Sequence, residues 1–201
     1  MLESKKKKIQ LKDLISIGVY TAIYFIICAL AAGLTVLIIP GYSYAFIPVI
    51  TSLLAGTIYM LMVAKVPKFG AISIMGSIMG IFFLIVGRFP GATVIAIVIS
   101  ILADVIAYLF KYRNKVGVLF SYIIFSYSLI GPVVPMIFFP SFYQDQLIEQ
   151  GRDAAYIEGV FQSVSEYTLI ILVVSILIMS VIGGIFGQRM MKKHFEKAGI
   201  V

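Results

Sequence analysis

Asp104 is the one ionisable side chain set deep inside an apolar stretch of this 201-residue sequence. It stands seven residues before Lys111, so a helix would bury it about 10 Å below the nearest basic loop. A carboxyl group in hydrocarbon costs ~2.5–3.5 kcal/mol, so by default it marks a functional hypothesis. Ser100 and Tyr108 flank it at i−4 and i+4 and share its helix face. Two readings stay open. Asp104 is a polar anchor or a contact for a partner protein, or it is an acid that reaches Tyr108 or a loop lysine.

A second set of candidates lies at the opposite ends of the apolar stretches. It comprises Tyr42, Tyr44, Arg88, Tyr127, Ser128, Glu166 and Tyr167, with Phe46, Phe89, Phe142 and Tyr143 beside them. Aromatic rings with a few polar groups suit a flat, partly apolar ligand, and Arg88 could pair with an anionic group on it. The plain alternative is the interfacial aromatic belt common to membrane proteins.

Catalytic patterns are missing. There is no Gly-x-Ser-x-Gly elbow, no His-Glu-x-x-His pair and no Walker-type phosphate loop. His194 is the only histidine and Cys28 the only cysteine. The expectation is a protein that is not an enzyme, binds no metal, uses no cofactor and does not hydrolyse ATP by itself.

The elements that would position these residues follow from composition. The chain is 61% hydrophobic and 12% charged, where soluble domains carry roughly 25% charged residues. Its mean hydropathy of +1.07 leaves too little polar surface to cover a core, so its outer solvent must be lipid. Apolar stretches of helical length run over residues 14–39, 44–64, 71–86, 92–110, 116–139 and 168–187. The expected fold is an all-α membrane protein, a compact bundle of six transmembrane helices in one domain. A signal peptide ending near Ala29-Leu30-Ala31 is the rival reading of the first stretch, but that stretch outruns the ~7–15 residues of a secretory core. Pro132 and Pro135 predict a kink or early end in the fifth helix, with freed carbonyls that must face protein or a polar cavity. Residues 140–167 form the only long polar segment. Within it Ile157, Val160, Phe161 and Val164 recur at helical spacing, which predicts an amphipathic helix lying over the protein or an extension of the last span. No internal repeat is evident.

Charge placement predicts orientation. Fourteen of the sixteen Lys/Arg residues fall in the N-terminal arm, the 65–68 turn, the 111–115 loop and the C-terminal tail. Only Arg88 and Arg152 fall on the other side. The positive-inside rule then places both termini in the cytoplasm and residues 140–167 outside, in a multi-pass plasma-membrane protein.

Small residues give the last pattern. Gly18, Ala22, Ala29 and Gly33 line one stripe of the first helix; Gly76 and Gly80, Ala103 and Ala107, and Gly183 and Gly187 recur on the third, fourth and sixth. Such residues let helices approach closely, either within the bundle or against a separate membrane protein.

On its size, spans, basic N-terminal arm, helix-one stripe and long 140–167 segment, the chain resembles the substrate-binding S-components of energy-coupling-factor (ECF) transporters, and within them the Trep_Strep-type membrane proteins. The resemblance covers about Lys5 to Lys193. It implies capture of a micronutrient (a vitamin, heterocycle or tetrapyrrole-like molecule) outside, then docking on a transmembrane coupling protein with two cytoplasmic ATPases. It implies that Gly18, Ala22 and Ala29 make the docking contact. The family pattern is often Ala-x-x-x-Ala; here Gly18-x-x-x-Ala22 and Ala29-x-x-x-Gly33 are looser. The family's lid is often the 1–2 loop, which is short here, so the 140–167 segment would take that role. The alternative is a non-transporting membrane assembly or accessory subunit, which would lack an outer ligand pocket.

Overall fold

Three apolar stretches without internal proline wind into long single helices: α1 (Leu11–Ile38), α5 (Pro90–Leu109, with Pro90 at its first turn) and α10 (Thr168–Met190). The computed structural model describes residues 8–38, 43–162 and 167–195, and every regular element among them is helical. These three are long and apolar enough to cross a membrane.

The second apolar stretch is broken. α2 (Ser43–Leu54) and α3 (Gly56–Lys65) meet at a 55° bend, and together they make a fourth span-length unit. Pro48 sits inside α2 and removes a backbone donor. The bend is held from outside: the Tyr122 hydroxyl donates to the Ser52 carbonyl at 2.6 Å. Gly183 and Gly187 of α10 pack on this corner. A Cβ on Gly183 would overlap the Leu53 carbonyl, and one on Gly187 would lie 2.6 Å from backbone atoms of Gly56. The glycines of the last helix therefore serve internal packing.

α4 (Ala71–Ile85) and α6 (Lys115–Ser126) are apolar but shorter. Fifteen residues of α4 reach ~22 Å against ~30 Å of hydrocarbon. α6 tightens into a 3-10 turn at Tyr127–Ile130, then breaks at Gly131-Pro132 before the short α7 (Val134–Phe138). The prolines thus end the fifth helix as the sequence predicts, and Gly131 lets that break press against the Ala92 backbone of α5.

Helix α4 runs along α5, α1 lies against α2, α3 and α4, and α10 contacts α2, α3 and α6. One core centres on Tyr24, Tyr59, Met75, Tyr122 and Phe125. Large apolar side chains such as Ile15, Ile26, Leu30, Ile85, Leu109, Ile170 and Phe186 point outward instead. An apolar exterior around a core containing hydroxyls is the burial pattern of a lipid-embedded protein.

Two short helices follow α7: α8 (Pro140–Glu149) and α9 (Ala154–Gln162). Their inward residues Tyr143, Leu147, Ile157 and Val160 close a second core with Ala45, Val49, Ile130, Met136, Leu172 and Ile176. α9 turns Ile157 and Val160 inward with Phe161 packed beside them, and Val164 of the apolar set read from the sequence lies outside the described residues. α8 occupies the part of the 140–167 polar segment for which the sequence announced no helix. These helices cap one end of the bundle, and the basic loops gather at the other.

Candidate functional site

At the basic end, Asp104 is fully buried and accepts four hydrogen bonds. Its Oδ2 takes the Gly70 N–H at 2.8 Å, the Ser73 N–H at 3.0 Å and the Ser73 hydroxyl at 2.8 Å. Its Oδ1 takes the Tyr112 hydroxyl at 2.8 Å. Gly70 precedes α4 in the left-handed conformation (φ 101°), so α5 supplies the acceptor that α4's own N-cap lacks. A carboxyl group at a helix N-terminus also suits the helix dipole. The partners expected from helix spacing are not used. Ser100 bonds back to the Ala96 carbonyl, and Tyr108 is exposed and stacks edge-on with Phe69. Tyr112 takes its place because the chain reverses at Lys111 and Tyr112, both at positive φ. A third link joins the N-terminus of α1 to the same loop: Asp13 Oδ2 accepts the Gln10 N–H at 2.7 Å and the Lys68 ammonium at 2.5 Å. Asp104 is thus an anchor of the basic end.

At the cap end, Gly87 (φ 71°) ends α4. Its N–H donates to the Leu84 carbonyl, and the Arg88 N–H donates to the Phe83 carbonyl at 2.8 Å. This closure fixes Arg88 on a short turn before Pro90 starts α5. α8 ends the same way. Gly151 stands at φ 72° and the Arg152 N–H donates to the Leu147 carbonyl at 3.0 Å. Both arginines therefore follow a glycine at a helix C-terminus, where a cation is favoured.

The cap rests on the 87–89 turn. The Gln150 amide donates to the Gly87 carbonyl at 2.7 Å, and Phe142 meets the Phe89 ring edge-on at 5.7 Å. Burial pushes the Tyr143 phenol above its ordinary value, and the two arginines pull it part of the way back. Arg152 also stacks over Tyr156 at 4.9 Å. Beside it a groove of about 410 Å³ opens between α8 and α9, lined by Gln144, Ile148, Arg152, Ala154, Ile157, Glu158 and Phe161.

The residues expected to bind a ligand do not all converge. Arg88 is half-buried at the cap junction. The Tyr127 hydroxyl is engaged by the Val173 carbonyl at 2.9 Å, tying the broken helix to α10. Ser128 is fully buried, and its hydroxyl has no hydrogen-bond partner among the described residues. Tyr167 is 67% exposed. Tyr42 and Glu166 lie outside the described residues, as does the side chain of Tyr44. Sequence reasoning missed Gln150 and its bond to the Gly87 turn, because that contact depends on how the cap folds back.

The small stripe of α1 differs from the others. Gly18, Ala22, Ala29 and Gly33 are exposed, and a Cβ added at Gly18 or Gly33 would meet nothing within 4 Å. On α4, by contrast, Gly76 faces Ser100 and Gly80 faces Thr93 across α5.

A family model described as hypothetical bacterial integral membrane protein (Trep_Strep) matches residues 11–197. No curated protein and no solved structure matches the chain.

Proposed function

The chain belongs to the Trep_Strep family of bacterial integral membrane proteins, and from that premise we propose that it is the substrate-binding S-component of an ECF-type importer. In this reading six spans cross the plasma membrane, with the basic end inside and the cap outside. The cap end captures a micronutrient, and a transmembrane coupling protein with two ATPases drives its release inward.

The observation that carries this reading is the exposed stripe on α1. Lipid tails conform to side chains of any shape, so a lipid-facing helix gains nothing from Gly18, Ala22, Ala29 and Gly33 together. A second helix gains a close approach. Every other pair of small residues noted above is used inside the bundle, which leaves this stripe for a partner. The lack of a phosphate loop agrees, because the energy for uptake must then come from a neighbour. Differential affinity of the partner for the occupied chain would couple capture to transport.

The competing reading, a non-transporting assembly or accessory subunit, draws on the filled second core beneath the cap. Reconstitution separates them. The chain alone in ATP-loaded vesicles should bind ligand without accumulating it, and should accumulate it once the coupling protein and ATPases are added. Accumulation by the chain alone, or none with the full assembly, would remove the proposal.

A further inference from the structure

Three phenylalanines of the α7–α8 corner, Phe138, Phe139 and Phe142, are each more than half exposed although they sit on the capped side of the bundle. The turn that joins α4 to α5 fixes their height. The Phe89 ring meets Phe142 edge-on at 5.7 Å and lies tilted against Phe139 at 6.4 Å. This cluster therefore stands where α4 ends and α5 begins. The apolar exterior runs to the last turn of α4, where Ile81, Phe82, Leu84, Ile85 and Val86 all face outward. Helix α4 itself is about 8 Å shorter than the hydrocarbon it would cross. Aromatic surface placed just beyond its end makes up part of that thickness.

Charge divides the cap along its length. Residues 133–144 carry none, whereas Asp145, Glu149, Arg152, Asp153 and Glu158 are all exposed. Asp145 and Glu149 follow Phe142 at i+3 and i+7, so the three share one stripe of α8. A helix laid flat on that stripe would sink both carboxylates with the ring. A helix that enters by its N-terminus keeps them about 4.5 and 10.5 Å further along the axis, clear of the apolar layer. We propose that the α7–α8 corner is a lipid-contacting surface. Phe138, Phe139 and Phe142 lie in the interfacial layer of the leaflet on the cap side, a depth that suits aromatic rings, and α8 rises from them with its charged end in water. The occupant is the bilayer rather than a second copy of the chain, because the corner directly continues the lipid-facing surface of α4. The cap is then held twice, to the bundle by the Gln150–Gly87 bond and to the membrane by this corner. The proposal stands whether or not the chain takes part in uptake.

The chain has no tryptophan, so a single introduced one reports its own depth. Phe142→Trp, Glu149→Trp and, as a mid-span standard on α1, Ile26→Trp all replace exposed side chains. Each full-length variant is reconstituted in phosphatidylcholine vesicles whose acyl chains carry bromine either near the headgroup or near the chain end, with unbrominated vesicles as reference. Ile26→Trp should be quenched most by the deep bromines. Phe142→Trp should be quenched about as strongly as that standard, but by the shallow bromines. Glu149→Trp should be nearly unquenched, with the red-shifted emission of a ring in water. Phe138→Trp should repeat the result of Phe142→Trp, which guards against a local defect in one variant. Equal quenching at positions 142 and 149 overturns the proposal at either extreme. If it is absent from both, the corner lies in water or, where the emission at 142 is blue-shifted, under another protein surface. If it is strong in both, α8 lies flat in the membrane.

Discussion

Replacing Asp104 probes the basic end most sharply. In Asp104→Ala the N–H groups of Gly70 and Ser73 lose their acceptor inside a closed junction, while the Ser73 and Tyr112 hydroxyls can turn elsewhere. Two fixed donors left unpaired cost ~1–3 kcal/mol each, and the lost anion at the start of α4 adds ~0.3–1 kcal/mol. The sum is about 2–7 kcal/mol, and its middle, ~3–5 kcal/mol, is the usual penalty for breaking a buried charged network and sets the expected cost. Asp104→Asn keeps one oxygen for the α4 donors and offers Tyr112 an amide, so it should cost ~1–2 kcal/mol. For a chain of this length 1 kcal/mol moves the melting midpoint by roughly 2–4 °C. The expected falls are thus roughly 6–20 °C for alanine and 2–8 °C for asparagine, with Tyr112→Phe near the smaller value. A thiol-reactive fluorogenic dye reads unfolding through Cys28, the single cysteine. A midpoint for Asp104→Ala equal to wild type, or a leucine replacement that raises it, would refute the anchoring role.

The remaining predictions concern other corners of the bundle. Gly183→Val should lower the melting midpoint and reduce the yield of monodisperse protein, because its side chain would overlap the Leu53 carbonyl. Gly18→Leu should leave the midpoint unchanged, since nothing lies near that position, yet abolish co-purification with a coupling partner. Lys111→Gly should gain about 0.5–1 kcal/mol in the same melt, because Lys111 holds a left-handed helix-closing position that glycine fills without strain. Gln150→Ala should speed amide hydrogen exchange in α8 while leaving α5 protected, because it removes the bond that ties the cap to Gly87.

What was legible in the sequence follows how local its cause is. Long apolar stretches announce α1, α5 and α10, and the Pro132–Pro135 break reads directly because proline acts on its own turn. The bend at Ala55 is set by glycines of α10 more than a hundred residues away, so no local pattern marks it. α8 hid because only Tyr143 and Leu147 face inward while its other positions are polar or exposed. Asp104 was found by depth alone. Its partners were misjudged because its own helix face was searched, whereas the carboxyl crosses to α4 and to a reversed loop. Arg88 was legible as a rare cation outside the basic segments. The Gln150 bond that ties its turn to the cap depends on how the cap folds back.

The proposed uptake from outside depends on which side of the membrane the cap occupies. In a Cys28→Ser background, single cysteines at Glu149 on the cap and Arg113 at the basic end are both exposed positions. A membrane-impermeant thiol reagent applied to intact cells should label the cysteine at 149 and reach the one at 113 only after permeabilisation. The reverse pattern, or labelling of both in intact cells, would contradict the account.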